Sequence, residues 1–392
     1  MIRTGFKFVD LFSGIGGFHQ AMTQLGGHCV FACDIDKYAI ETYEENYDMD
    51  SSINMFDVAA EDVPKHDVLC AGFPCVAFSK AGKQEGFKDQ ARGTLFFEIV
   101  RILEQHHTPY IILENVRNLT SHDHGNTWKV IRGALKDLGY RLTPSPLILS
   151  PHQFGIPQLR ERVVILGLYD PEHVDEPLNI SFENLLKKTD NSIYSVVSAS
   201  KVDDKYYISE HENRVLTAWD EFHKNVNPKT IGFPIWSYVW KWSEPPSDWP
   251  DWKKEFVRKN IDLYKSNKQF IDRWLAKYDN LDDFTDTEKK MEWQAGETID
   301  TVWEGVIQSR PSGIRIKAPN CFPALVAMVQ IPIIGRYKRR LTVKEAGALQ
   351  SFPIEFKPNS IDMQAYKQFG NAVNVTVIRE AAKKLFNYED LK

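Results

Sequence analysis

Short apolar runs alternate with amphipathic stretches over the first 170 residues of the chain. Runs rich in Val, Ile, Leu and Phe predict buried strands at 6–12, 29–33, 67–71, 110–113 and 163–168. Between them, apolar residues recur at helical spacing, as in Phe96, Ile99, Val100 and Leu103, and again in Trp128, Ile131, Leu135 and Leu138. Strands that alternate with helices predict a mostly parallel sheet covered on both sides. We therefore expect an α/β doubly wound domain, whose ligands lie beyond the carboxyl ends of the strands.

The pattern changes at about residue 181. Nine of the ten tryptophans lie between Trp219 and Trp303. The stretch 236–252 is aromatic and interrupted by proline, whereas 253–278 predicts one or two amphipathic helices. Helical patterning returns from residue 341, within 343–350 and again within 375–385. The chain thus predicts a first domain at 1–180, completed by 341–392, and a second, smaller and irregular domain at 181–340.

Composition narrows the class of protein. The 392 residues allow two domains, and 43% hydrophobic with 26% charged residues is typical of a soluble globular protein. No window approaches the roughly 20 apolar residues of a membrane span, and the first strand leaves no room for a signal peptide. Five cysteines without paired spacing fit a reducing cytoplasm. We expect a cytoplasmic protein without a membrane partner, and no metal, because Cys29 and Cys33 lie in an apolar strand-like stretch and structural zinc needs four ligands.

The net charge of −5 argues against a surface that coats nucleic acid as a whole, but not against a local DNA-binding cleft. One candidate basic patch is Arg336-Tyr337-Lys338-Arg339-Arg340, which a solvated loop explains equally well.

The candidate reactive and ligand-binding residues lie in segments that follow predicted strands. Cys75 lies in Gly72-Phe73-Pro74-Cys75-Val76-Ala77, where Gly and Pro shape a turn that presents the thiol, although a packed cysteine is the plainer alternative. The turn 12–17 contains three glycines, which let a ligand approach the backbone. His19 occupies the place of the last glycine of a dinucleotide fingerprint, which disfavours a nicotinamide enzyme. Asp34, after the second strand, is placed either to accept ribose hydroxyls or to cap a helix.

These segments belong to an ordered set that resembles the DNA cytosine-5 methyltransferases, above all the bacterial enzymes of restriction–modification systems. The matching segments are 10–18, 72–77, Glu114-Asn115-Val116, Gln158-Leu159-Arg160-Glu161-Arg162, 340–353 and Gly370-Asn371-Ala372-Val373. The resemblance covers roughly 5–170 and 310–385, almost all of the chain outside the variable segment. It implies a fold of the S-adenosylmethionine-dependent methyltransferase type with a target-recognition domain at 181–340.

The resemblance also implies the roles of individual residues. Cys75 matches the nucleophile that adds to cytosine C6, and Glu114 matches the carboxylate that bonds the N3/N4 edge of the base. Arg162 matches an arginine that contacts the cytosine O2, while Arg160 supports the site or the backbone. Without the other motifs, both arginines would read as surface residues that lead into a strand.

The cofactor that the resemblance implies is S-adenosyl-L-methionine, with S-adenosyl-L-homocysteine as product. Asp34 would bind the ribose and Ile35 would pack on adenine. The remaining residues implied for the cofactor pocket are Phe12, Gly14, Gly16, Asp57, Val58, Leu95, Asn371 and Val373.

The segment 82–93, with Lys83 near its start, matches a loop that closes over DNA in the family, although an ordinary exposed connection is the alternative. One departure is Val76, where many relatives carry Gln. The expected activity is methylation of cytosine C5 in duplex DNA by a monomer, through base flipping, with a restriction endonuclease as a genetic partner only. The rivals are a tRNA cytosine methyltransferase and a catalytically silent DNA-binding protein. The aromatic variable domain favours duplex DNA, which must be read in a groove.

Overall fold

The computed structural model of the protein describes residues 4–73, 95–229, 231–325 and 330–388. Two compact units make up the chain. The first comprises Met1–Asn191, Pro323–Ala327 and Val343–Lys392, and the second comprises Ser192–Phe322 and Met328–Thr342. Cys75, Val76 and the segment 82–93 lie outside the described residues.

The first unit contains most of the regular elements. Its strands are β1 (Lys7–Leu11), β2 (His28–Cys33), β3 (Val68–Gly72), β4 (Tyr110–Val116), β5 (Tyr140–Leu142), β6 (Leu147–Leu149), β7 (Gln158–Leu159) and β8 (Arg162–Tyr169). Its helices are α1 (Gly17–Thr23), α2 (Lys37–Tyr47), α3 (Leu95–His106), α4 (Asn126–Asp137), and, after the second unit, α8 (Val343–Leu349), α9 (Asp362–Asn371) and α10 (Val375–Phe386).

The sheet of the first unit has the order β2-β1-β3-β4-β8-β5, with β6 also paired to β8. Strands β2, β1, β3 and β4 are parallel, whereas β8 runs antiparallel to β4, β5 and β6. All side chains of β3 from Val68 to Ala71 are buried, as expected for a strand covered on both faces. The doubly wound α/β prediction is confirmed.

The predicted helical faces are those that the structure buries. Phe96, Ile99 and Leu103 of α3 pack with Ile131 and Leu135 of α4 in one apolar cluster under the sheet. Caps fix where helices begin. Asp36 accepts hydrogen bonds from the Tyr38 and Ala39 amides at the start of α2, and Asn374 accepts one from Val377 N at the start of α10. Within the described residues, no helix has the length and apolar character that a membrane span needs.

The second unit combines helices with a sheet that the sequence pattern did not predict. The helices are α5 (Glu210–Asn225), α6 (Asp251–Ser266) and α7 (Lys268–Lys277), so that 253–278 forms two helices. The strands are β9 (Ile235–Trp236), β10 (Lys290–Trp293), β11 (Val306–Arg310), β12 (Gly313–Lys317), β14 (Ile333–Ile334) and β15 (Arg339–Arg340), while β13 (Phe322–Pro323) lies at the boundary of the units. They form a sheet of order β15-β14-β11-β12-β10-β9, in which only β10 and β12 pair in parallel.

Tryptophans fill the core of the second unit. Trp219, Trp240 and Trp274 are fully buried and pack against one another, with ring centroids 5.4 Å and 6.0 Å from the Trp274 ring. The aromatic composition of this segment therefore supplies the core that the short strands cannot supply alone.

In the basic segment 336–340, Arg336 and Lys338 are exposed, whereas Arg339 and Arg340 are held inside the second unit. Arg339 is buried and donates to the carbonyl of Ser198 at 2.7 Å, and Arg340 pairs with Glu212. Lys338 donates to Asn213 Oδ1 at 2.9 Å. These contacts pair Lys338, Arg339 and Arg340 with other groups of the second unit. They weaken the case for a phosphate-binding patch at 336–340.

Candidate active site

Glu114 and Val373, two of the predicted site residues, lie beside Gly72 at the carboxyl end of β3. In the register of β3 and β4, Gly72 lies opposite Glu114. A Cβ added at Gly72 would lie 3.9 Å from Glu114 Oε2 and 3.8 Å from a methyl of Val373. The strand β3 ends at Gly72, and Cys75 follows three residues later in the sequence.

The glycine-rich turn after β1 has the geometry that its glycines permit. Gly14 and Gly16 adopt φ values of 55° and 80°, and Phe12 also has a positive φ of 58°. A Cβ at Gly16 would lie 2.4 Å from the ring of Tyr47, whose hydroxyl donates to the carbonyls of Ile15 and Gly16 at 3.1 Å. The turn is thus held close to α2, and only glycine fits at position 16.

Asp34 organises this turn. One carboxylate oxygen accepts from Gly14 N at 2.8 Å, and the other accepts from Ile35 N and Asp36 N at 2.7 and 2.8 Å. The capping alternative is wrong, because Asp36 and not Asp34 caps α2. Ile35 is 79% exposed, an unusual state for an isoleucine beside an ordered turn. Together they offer a hydrogen-bonding carboxylate next to an open apolar surface.

The other predicted pocket residues differ in how closely they border the turn. Val373 packs on the backbone of α1, since a Cβ at Gly17 would lie 2.7 Å from its side chain. Val58 is partly buried against the apolar cluster under the sheet, and Leu95 begins α3. Asp57 and Asn371 are exposed. Val373 therefore packs directly against the end of the turn. Among the described residues, no hydrogen bond joins the side chain of Asp57 or Asn371 to the turn.

Glu114 and Arg162 form an ion pair across two antiparallel strands. Glu114 lies opposite Val164, and Arg162 is two residues from Val164 on the same face of β8, so the two side chains are diagonal neighbours. Arg162 Nε and Glu114 Oε1 are 3.1 Å apart, and the side chains are 21% and 12% exposed. Burial raises the pKa of Glu114, and the charges of Arg162 and Arg160 oppose that rise. The predicted strand ended at Leu113, but pairing with β8 extends β4 to Val116 and places Glu114 within the strand.

Arg160 has different surroundings from Arg162. It is 2% exposed, and its guanidinium donates to the carbonyls of Leu325 and Ala372 at 3.2 and 2.9 Å. Burial and then the repulsion of Arg162 lower the pKa of Arg160 to about 9. Its own amide donates to Ser150 Oγ at 3.0 Å. The structure therefore places Arg160 as a buried brace of the backbone next to Val373.

Asn115 is a site residue that the sequence pattern did not single out by itself. It is buried and donates from Nδ2 to the carbonyl of Phe73 at 2.7 Å, two residues before Cys75 in the sequence. The signal that would have revealed it is an amide side chain within an otherwise apolar strand end, where a buried polar group needs a partner. This hydrogen bond joins Phe73, which follows β3, to the strand β4 that also contains Glu114.

Comparison with known proteins agrees with this arrangement. A family model described as C-5 cytosine-specific DNA methylase matches residues 6–387. The chain is similar to the Type II methyltransferase M.AluI of Cellulosimicrobium cellulans, with 31% identity over 97% of this chain and 91% of the relative. It is also similar to the Type II methyltransferase M.HpaII of Haemophilus parainfluenzae, with 33% identity over 98% of this chain and 90% of the relative.

The fold has solved counterparts. A crystal structure of a Spodoptera frugiperda DNMT2 mutant matches with a TM-score of 0.54 and 20% identity, over 97% of this chain and 100% of that chain. This likeness concerns the fold alone. The family model and the two relatives span nearly the whole chain. The chain belongs to the C-5 cytosine-specific DNA methylases and is an enzyme of the bacterial restriction–modification type.

Proposed function

We propose that the protein transfers a methyl group from S-adenosylmethionine to C5 of a cytosine in a specific duplex DNA sequence. In this proposal Cys75 forms a covalent bond to C6 of a flipped-out base, and the product is DNA protected from a cognate endonuclease. The observation that carries the proposal is the Glu114–Arg162 pair beside Gly72, three residues before Cys75.

The residues around the glycine-rich turn fit S-adenosylmethionine. Asp34 presents a carboxylate at the end of β2, where an acidic residue binds ribose hydroxyls in related folds, and exposed Ile35 offers a face for adenine. A Cβ at Gly14 would meet no atom within 4 Å, which leaves room for a ligand at this point of the turn. The bound cofactor supplies an electrophilic methyl group on a sulfonium, and the pocket residues hold that methyl at the sheet edge.

Cys75 supplies the activation that cytosine needs. Its thiolate adds to C6, which turns the ring into an enamine whose C5 attacks the methyl carbon as the sulfonium bond breaks. Removal of the C5 proton by a base then expels the thiolate and restores the C5–C6 double bond. Every bond formed is balanced by one broken, and the cysteine is regenerated.

Glu114 holds and moves a proton in this scheme. Its pKa is raised by burial, so the carboxyl can share a proton with N3 as the thiolate adds, which limits the negative charge that develops on the ring. Arg162 keeps the carboxyl oriented and presents its remaining N–H groups toward the cytosine O2. Arg160 is a positioning residue, because its two terminal nitrogens donate to the carbonyls of Leu325 and Ala372.

The base must leave the helix for this chemistry. C6 is inaccessible inside stacked duplex DNA, so the target nucleotide swings out into the site, at a cost of a few kcal/mol. We assign sequence recognition to the second unit, in which helices and a six-stranded sheet replace the α/β repeat.

The test combines methyl transfer with adduct capture. We expect Cys75→Ser to bind duplex DNA but to lose transfer of labelled methyl, because a serine hydroxyl is hardly ionised near neutral pH. Duplex DNA with 5-fluorocytosine at the target should trap the wild-type protein covalently, since fluorine cannot leave as a proton does. Substantial turnover by Cys75→Ser would refute the role of Cys75. Methylation of tRNA but not of duplex DNA would refute the substrate.

A further inference from the structure

One face of the second unit's sheet carries a row of polar side chains on three neighbouring strands. In the register of the strands, Arg315 of β12 lies opposite both Glu292 of β10 and Gln308 of β11. Side chains alternate between the faces of a strand, so these three share a face. The opposite face carries the apolar core residues Met291, Trp293, Ile307, Ile314 and Ile316.

The charges in this row are not balanced. Arg315 Nε lies 2.9 Å from Glu292 Oε2, yet its N–H forms no aligned hydrogen bond. Arg310, at the tip of the β11–β12 hairpin, has no ion pair with a carboxylate in the described part of the chain, and its Nε is buried without a partner. Burial and the repulsion of Arg315 lower the pKa of Arg310. The single carboxylate of Glu292 therefore lies near the two partly buried guanidinium groups of Arg310 and Arg315.

Further hydrogen-bonding capacity is unused beside them. Gln308 is 2% exposed, and its Oε1 accepts no hydrogen bond from any described residue. Glu292 is fixed on its other oxygen, which accepts from Gln294 Nε2 at 2.6 Å. Buried polar groups in native proteins are nearly always paired, so unpaired ones at a surface row indicate a missing ligand.

Contacts with β10 hold the turn between β11 and β12 in place. Gly313 has a φ of 128°, and a Cβ there would lie 2.8 Å from Lys290 Cβ, so β10 approaches the turn as closely as glycine allows. Lys290 Nζ donates to the carbonyl of Pro311 at 2.8 Å. The turn between β11 and β12 is therefore held rigidly at the edge of β10, within the six-stranded sheet.

We propose that the partly exposed members of this row, Glu292, Arg310 and Arg315, read base edges of the recognition sequence, with Arg315 contacting a guanine. The proposal rests on duplex DNA being the substrate. Guanine offers the acceptors O6 and N7 to a guanidinium, and its partner cytosine offers an N4–H donor to a carboxylate. A phosphate offers acceptors only and would be repelled by Glu292. The mixed row of donors and acceptors thus matches a G·C base pair and not the DNA backbone.

The test is the sequence profile of methylation. The full-length enzyme and its variants are incubated with a randomised duplex library, and methylated cytosines are mapped by bisulfite sequencing. We expect Arg315→Gln to lower kcat/KM at the wild-type site by about ten- to a hundredfold and to relax the preference for one guanine. Arg273→Gln removes one exposed charge on α7 and should leave the profile unchanged.

Two further variants separate the possible outcomes. Arg315→Lys keeps the charge but not the planar fork, so relaxation at the same guanine supports base reading even if Arg315→Gln folds poorly. Retention of the full wild-type profile by both variants, with or without a uniform loss of rate, would overturn the proposal and indicate a backbone or structural role. Failure of the wild-type enzyme to methylate any duplex would instead refute the proposed function itself.

Discussion

Replacement of Arg162 tests how far the buried carboxylate of Glu114 depends on its partner. Two unit charges 3.1 Å apart attract by about 5 kcal/mol at an effective dielectric constant of about 20. Desolvation offsets part of this, and removal of one partner of a buried pair typically costs about 3–5 kcal/mol. Arg162 is the ion-pair partner of Glu114 in the described part of the chain, so we expect Arg162→Met to lower the opening free energy of β4 and β8 by about 3 kcal/mol near pH 8.

The opposite deletion should cost less. In Glu114→Gln, Arg162 still donates to the carbonyl of Glu161 at 2.9 Å and is the more exposed of the two side chains. We expect a loss of about 1–2 kcal/mol. The double variant leaves no unpaired charge, so its loss should fall short of the sum of the single losses by about 2 kcal/mol.

The direction in which the destabilisation by Arg162→Met changes with pH shows whether it arises from the lost charge or from lost packing. Without Arg162, the pKa of Glu114 rises further, and the folded state binds the proton more tightly than the unfolded state does. The destabilisation by Arg162→Met is therefore largest above that raised pKa and shrinks as the pH falls through it. The double variant has no carboxylate at position 114 and should not show this relief.

Hydrogen exchange followed by mass spectrometry is the suitable assay, because a chain of two units has no single unfolding free energy. The peptides that contain β4 and β8 report the opening of interest. Arg117→Met is the matched control, since Arg117 pairs with Glu161 at the surface and should cost under about 1 kcal/mol. Equal losses for Arg162→Met and Arg117→Met, or a loss that does not vary with pH, would refute the reasoning.

Four further changes have defined outcomes. Asp34→Ala should weaken S-adenosylmethionine binding by about 1–3 kcal/mol in calorimetry, and an unchanged affinity would limit Asp34 to shaping the turn. With the recognition sequence held fixed, a mispaired target cytosine should bind more tightly than a paired one, also in Cys75→Ala, and equal affinity would count against flipping as a limiting step. Burial lowers the pKa of His66 to about 4, so the neutral ring stabilises the fold above about pH 6.5, and this contribution is lost as the pH falls towards 4. His66→Gln should reduce the loss of local stability at pH 5 by about 2 kcal/mol, measured by hydrogen exchange of the peptides around His66. Asn115→Ala frees the carbonyl of Phe73 and should lower kcat more than cofactor affinity, whereas a parallel loss of both would indicate general unfolding.

The first unit was predictable because its signals are local. Strands buried on both faces appear as continuous apolar runs, and helices between them repeat every three to four residues. The end of β4 was misplaced because Glu114 reads as a strand terminator, while the antiparallel pairing with distant β8 decides where the strand stops. The resemblance implied different roles for Arg160 and Arg162, but the burial of Arg160 against the carbonyls of Leu325 and Ala372 follows only from tertiary contacts.

The sheet of the second unit shows why its recognition row was hidden in the sequence. Strand β10 pairs in parallel with β12, which is separated from it by β11 in the chain, so no local alternation marks the pair. Glu292 and Arg315 are 23 positions apart and meet only through this register. Buried tryptophans stabilise the fold around these two residues. The sequence shows that tryptophan is frequent in this segment, but the spacing of the tryptophans follows neither a helical nor a strand period. A surface that reads DNA must vary while its scaffold persists, and here the scaffold is an aromatic core with short strands. Residues of the row can then change without disturbing the core face of the same strands.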